Sequence, residues 1–157
     1  MSVAPSIENE LQNTRQNWTN VATKIPPKNR RWPAQFGVSV AETFPAAHVI
    51  ACTEVSLKNL GLETIDEQQF HVWSDEWVNQ GNWLEAVQKL KEEGKLRYFG
   101  VSINDFQPEN AIKLIETGVV DTVQVIYNIF EQSPEDQLFP ACGPQFLRMN
   151  ATEKGLT

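Results

Sequence analysis

A lysine, a histidine, a serine and three side-chain amides fall at or near the ends of the strand-like runs in this sequence. The first run ends in Thr23-Lys24 and the second in Phe70-His71. The third ends in Ser102, with Asn104 just beyond, and the fourth carries Gln124 and Asn128. In sheets built from βα units, binding and catalytic groups collect at the carboxyl ends of the strands. A lysine, a histidine and several amides on one such rim suit a polar substrate or a cofactor headgroup. Each residue taken alone also has a plain structural reading. A lysine at a strand end is usually solvated, a histidine there is more often a hydrogen-bonding group, and Ser102, Gln124 and Asn128 could cap the helices that follow.

The elements that must position these residues alternate between strand and helix patterns, which points to βα units around a parallel sheet. Residues Ser6 to Gln16 read as a short polar helix capped by Ser6. Val21 to Lys24 is a strand, closed by Pro26-Pro27, and a long loop runs from Lys28 to Thr43 with Trp32, Pro33 and Phe36 in it. From Pro45 the positions Val49, Cys52, Ser56 and Leu60 recur at helical spacing until Gly61. Thr64 to His71 is the next strand, Trp83 to Glu93 a helix closed by Gly94, and Leu96 to Ser102 a third strand. Pro108 to Thr117 reads as a helix and Val120 to Phe130 as the fourth strand. Ser133 caps a last short helix with Pro134 at its first position. The tail 143–157 has too little apolar content to predict a fifth strand.

About four parallel strands with connecting helices fit an open α/β sheet or part of a (β/α)8 barrel. A whole barrel needs about 250 residues, so 157 residues cannot close eight strands. The chain has 41% hydrophobic residues with five Trp and eight Phe, enough for a real core. Twenty acidic residues against 13 basic ones leave a net charge of −7, which argues against nucleic-acid or anionic-membrane partners. No apolar run approaches the length of a membrane span, and the first residues do not read as a secretory signal. Two well-separated cysteines, Cys52 and Cys142, lack metal-type spacing and fit a reducing cytoplasm. No Gly-x-Gly-x-x-Gly, P-loop or Gly-x-Ser-x-Gly motif occurs.

Five strings occur in an informative order: Val21-Ala-Thr-Lys-Ile-Pro-Pro27, Ser56-Leu-Lys-Asn-Leu-Gly61, Ile65-Asp66 running to Phe70-His71, Glu93-Gly-Lys-Leu-Arg-Tyr-Phe-Gly-Val-Ser102, and Val123-Gln-Val-Ile-Tyr-Asn128. Together they resemble the aldo/keto reductases, (β/α)8 barrels that reduce carbonyl compounds with NADPH. The resemblance implies a partial TIM barrel over residues 1–142, the family's third to sixth βα units, followed by the tail 143–157. It implies that Lys24 and His71 match the family's catalytic lysine and histidine. The histidine orients the carbonyl, and the lysine, paired with an aspartate, lowers the pKa of a tyrosine that protonates the alkoxide. Gln124 matches the amide side chain that holds the nicotinamide carboxamide, and Ser102 matches the serine of the family's cofactor-binding Ser-Asn pair. Ile103 stands where the family has an asparagine, and Asn104 is the substitute one position later.

The resemblance also implies what these residues lack. The family's aspartate and tyrosine belong upstream of the matched segment, and its phosphate-binding units belong downstream. Tyr98 and Tyr127, the two tyrosines present, match other positions. The expectation is therefore a truncated, cytoplasmic oxidoreductase portion, inactive alone, for a small-molecule carbonyl substrate. The alternative is a non-catalytic nucleotide- or partner-binding protein on a partial barrel. Sheet edges without their closing neighbours predict self-association. Glu67 conflicts with the pattern. It shares strand parity with the inward-facing His71, and a buried unpaired carboxylate is costly.

Overall fold

The computed structural model describes residues 20–104, 106–143 and 150–151. The predicted helix Ser6–Gln16 lies outside them. Among the described residues, five strands form one parallel sheet: β1 Ala22–Ile25, β2 Ile65–Phe70, β3 Leu96–Ser102, β4 Thr122–Val125 and β5 Asn150–Ala151. Their spatial order is their chain order. A doubly wound sheet reverses its strand order at a switch point, and this one does not. The sheet is therefore an arc of a barrel, wound steadily in one direction. No described helix is long and apolar enough to cross a membrane.

Among the described residues, five α-helices connect or flank the strands: α1 Val40–Thr43, α2 Ala46–Leu60, α3 Trp83–Glu92, α4 Ile112–Glu116 and α5 Leu138–Cys142. Helix α2 stops at Gly61, which takes the left-handed conformation (φ 62°) and returns its N–H to the carbonyls of Leu57 and Lys58. The buried stripe of α2 is Val49, Thr53 and Leu57, not the predicted Val49, Cys52, Ser56 and Leu60. Thr53 can be fully buried because its hydroxyl finds Val49 O at 2.9 Å and Gln68 Oε1 at 2.6 Å.

Four further expectations are corrected. The predicted helix 108–117 is a 3-10 turn, Pro108–Ala111, followed by α4, with Asn110 non-helical between them. The predicted strand 120–130 pairs only over Thr122–Val125. Beyond it the Asn128 side chain accepts N–H bonds from Phe130 (2.8 Å) and Glu131 (3.2 Å), which fixes a turn instead. The tail does supply a fifth strand, whose Asn150 and Ala151 pair with Gln124 and Val125. Ser133 is the first residue of a 3-10 turn that Gln132 precedes, and its hydroxyl bonds Glu131 rather than capping.

The two faces of the sheet differ in chemistry. Strand alternation sends Phe70, Phe99 and Val101 toward the helices. There Phe70 stacks on Phe44 with ring centres 4.0 Å apart and meets Phe99 edge-on at 4.9 Å. Trp73, Trp77 and Trp83 complete the cluster, and all three are essentially buried. Asp66 fastens the sheet on this side, accepting from Val21 N and from Arg97 Nη1, each at 3.0 Å. Asp121 does likewise for α3 and β3, taking Lys91 Nζ at 2.6 Å and Phe99 N at 2.8 Å.

The other face is polar. Register places Gln69 beside Gly100 and Gly100 beside Thr122, so three strands meet with no side chain on the middle one. Across that gap Gln69 Nε2 reaches Thr122 Oγ1 at 3.3 Å, and both donate to Glu67 Oε1 at 2.7 Å. The carboxylate that conflicted with the sequence pattern is thus only partly buried and doubly hydrogen-bonded.

Candidate active-site cleft

Lys24, Ser102 and Gln124 lie on the polar face at the carboxyl ends of β1, β3 and β4, and His71 follows directly on β2. The strand registers put Lys24 in the row of Gln69, Gly100 and Thr122, and Ser102 beside Gln124 in the next row toward the rim, so the residues occupy two adjacent rows of one face. All four line a single cleft of about 440 Å³, together with Asn104. Every site residue expected from the sequence is thereby brought to one place, except Asn128. Its side chain is spent on the turn after β4, and it does not line the cleft.

The remaining walls were not foreseen. Trp32, Pro33 and Ala34, from the loop after β1, form one side, and Val72, Ile103, Gln107, Val125 and Ile126 contribute the rest. Trp32 meets the His71 ring edge-on, with centres 5.5 Å apart. The sequence marks that loop as long and aromatic, but nothing in its periodicity says which strand end it crosses. Gln107 carries no sequence signal at all.

Asn104 explains how the loop is held. Its Oδ1 accepts from Ala34 N at 3.0 Å, and its Nδ2 donates to Ala34 O at 3.2 Å and to Gln107 Oε1 at 2.9 Å. The side chain, 9% exposed, acts as a two-pronged clasp on a segment 70 positions earlier in the chain. Asn104→Ala should free Trp32–Ala34 while leaving the sheet intact, at a cost of about 1–3 kcal/mol for the unmet backbone groups. Limited proteolysis reads this directly. Cleavage within 28–39 should accelerate several-fold, and an unchanged rate would remove the clasp from the account.

Electrostatics in the cleft favour less charged forms. Burial holds the Lys24 ammonium below its ordinary pKa, and Glu67 opposes that shift. His71 is also lowered, by desolvation first and by the neighbouring Lys24 charge second. Its ring is therefore neutral at pH 7, with one nitrogen able to donate and the other to accept. Neither tyrosine lines the cleft, and the Tyr127 hydroxyl donates to Glu135. The described residues hold no cluster of three or more His, Cys, Asp or Glu that could bind a metal.

Comparison with known proteins agrees with this geometry. A family model described as the aldo/keto reductase family matches residues 7–145. Among curated relatives, aldo-keto reductase YhdN of Bacillus subtilis is 33% identical over 94 residues, which are 60% of this chain and 28% of YhdN. The probable aldo-keto reductase 1 of Glycine max is 25% identical over 76% of this chain and 35% of its own length. Among solved structures, glycerol dehydrogenase AKR11B4 from Gluconobacter oxydans superposes with a TM-score of 0.64 at 26% identity, over 93% of this chain and 44% of the dehydrogenase. The aldo/keto reductase from Klebsiella pneumoniae, solved with NADP and acetate, gives 0.66 at 23% identity, over 92% and 46%. The chain thus spans about a third or less of these curated relatives and somewhat under half of the solved ones. An arc of parallel strands in sequential order and a match over residues 7–145 converge on one assignment: the chain belongs to the aldo/keto reductase family.

Proposed function

We propose that this chain supplies the carbonyl and nicotinamide end of an NADPH-dependent carbonyl reductase. The observation that carries the reading is the convergence of Lys24, His71, Ser102 and Gln124, from four successive strand ends, on one cleft. The donor set fits the cofactor's headgroup. A primary amide needs both donors and acceptors, which Ser102 and Gln124 supply, and Trp32, Ile103 and Val125 offer apolar surface for a ring. When bound, the reduced nicotinamide supplies the hydride that turns a carbonyl into an alcohol.

The chain's own residues then have distinct tasks. Neutral His71 donates a hydrogen bond to the carbonyl oxygen and fixes its orientation. The Lys24 cation stabilises negative charge developing on that oxygen. Asn104 keeps the Trp32 wall in place. Proton delivery is the step these 157 residues do not provide from a phenol, since neither tyrosine lines the cleft. That same observation favours a second reading, a binding protein without turnover. Two free thiols, Cys52 and Cys142, support a reducing cytoplasmic setting.

Titration of the protein with NADPH, followed by tryptophan fluorescence, tests the proposal, because Trp32 sits on the cleft wall. Quenching should saturate, and Gln124→Ala should weaken binding about tenfold. Absence of saturable quenching at millimolar NADPH would sink the cofactor reading. Binding without NADPH consumption across a panel of aldehydes and ketones would select the second reading. Light scattering on the same sample should give a dimer or larger, since β1 pairs only with β2 among the described residues and offers an open edge. A sharp monomer peak would count against self-association.

A further inference from the structure

We propose that Glu67 is a positioning residue for Lys24, a carboxylate fixed on the polar face of the sheet so that the lysine keeps its charge at the cleft. The proposal rests on the reading of the cleft given above. Strand register carries the geometry. Ala22 faces Glu67 and Lys24 faces Gln69, which makes Lys24 and Glu67 diagonal neighbours on one face of the β1–β2 pair. Gln69 Nε2 and Thr122 Oγ1, each 2.7 Å away, hold the Glu67 carboxylate from two strands. A carboxylate on the inner face of a barrel arc is expensive unless its charge is answered. Two neutral donors answer part of it, and the nearby ammonium answers more.

Lys24 needs such a partner. Burial pushes its pKa down, and Glu67 is the group that pushes it back up. Among the described residues, the other titratable groups on this face are His71, at the end of β2, and Tyr98, the register partner of Glu67 on β3. His71 is neutral at pH 7, and β4 presents only Thr122 and Gln124, which do not titrate. Among the described residues, Glu67 is therefore the one carboxylate so placed.

The alternative is that Glu67 merely ties β2 to β4. Glutamine at this position would preserve such a tie, because it is isosteric and its carbonyl oxygen still accepts. The two roles separate in the titration of Lys24 itself. Lysines labelled by reductive ¹³C-methylation report their pKa values by NMR, and Lys24→Arg assigns the signal. The Lys24 pKa should fall in the order wild type, Glu67→Asp, Glu67→Gln, with the last lower by about half a unit or more. Equal values in all three proteins would overturn the proposal. Near-UV circular dichroism of the tryptophan cluster checks each fold. If Glu67→Gln does not fold, wild type against Glu67→Asp decides alone: a lower value in the aspartate variant supports the pair, and an equal value overturns it. NADPH binding is a separate readout. Its failure with the Lys24 order intact removes the cofactor reading and leaves the pair, and the converse result removes only the pair.

Discussion

Phe70→Ala should remove most of the stability of the fold. The ring is fully buried and lies against Phe44, Phe99, Trp83 and Trp73 at centroid distances of 4.0, 4.9, 5.9 and 6.4 Å. Truncating a buried phenylalanine costs about 3–5 kcal/mol, and losing well-oriented ring pairs adds about 0.5–1.5 kcal/mol each. Domains of this size are stable by only about 5–15 kcal/mol. The urea midpoint should therefore collapse, together with the near-UV signal of the buried tryptophans. Phe70→Leu, which retains volume, should lose much less. A Phe70→Ala midpoint close to wild type would mean that the helices do not depend on this cluster to hold the sheet. The damage should reach the cleft too, because His71 is the next residue and its backbone N–H is anchored to Ile25 O at 3.0 Å.

Gly100→Ala is the second large effect, and it acts on the opposite face. A Cβ at Gly100 would press into Thr122 Oγ1, well inside contact distance, and stand 2.9 Å from both Gln69 Cγ and the Thr122 carbonyl oxygen. The side-chain atoms can yield, but the backbone carbonyl cannot without moving β4. Overpacking of this kind costs about 1–3 kcal/mol or more. It should also part Gln69 from Thr122 and so loosen both bonds that hold Glu67. Adding Thr122→Ala removes the worst clash and leaves the carbonyl, so the double variant should recover part of the loss. Thermal melts of wild type, Gly100→Ala, Thr122→Ala and the double variant give the coupling directly. Additive losses, or a Gly100→Ala melt equal to wild type, would contradict the close approach of β3 and β4.

Sequence pattern located the elements well where their ends carry chemical markers. The third strand, Leu96–Ser102, is as predicted residue for residue, following the helix-closing Gly94. Helix α3 ends within one residue of prediction for the same reason. Where a boundary depends on a side chain turning back on the backbone, pattern fails. The β-branched run after Val120 continues to look like a strand, while Asn128 has already bent the chain. The stripe of α2 was misplaced because a threonine looks polar and a cysteine apolar. Tertiary context reverses them by giving the Thr53 hydroxyl buried acceptors. A two-residue strand such as β5 has no periodicity to detect.

The site divides along the same line. Lys24, His71, Ser102 and Gln124 were legible because strand ends are legible, and a parallel sheet must gather them on one rim. Asn104 was legible as a rim residue, but its partner Ala34 was not, since pairing across 70 positions depends on the path of a loop. The edge contact of Trp32 with His71 is hidden in the same way. Glu67 stood out only as a violation of the expected pattern. Its partners Gln69 and Thr122 become visible once three strands are in register.

The Asn104 clasp makes the loop after β1 subordinate to the loop after β3. A recombination or grafting experiment that exchanged residues 28–43 for the corresponding stretch of another reductase would import a new wall without its fastening. Conversely, an exchange confined to the β3–α4 connection would release a wall it never touched. The two loops form one exchangeable unit, and shuffling libraries that respect sequence neighbourhood alone would break it in most of their members.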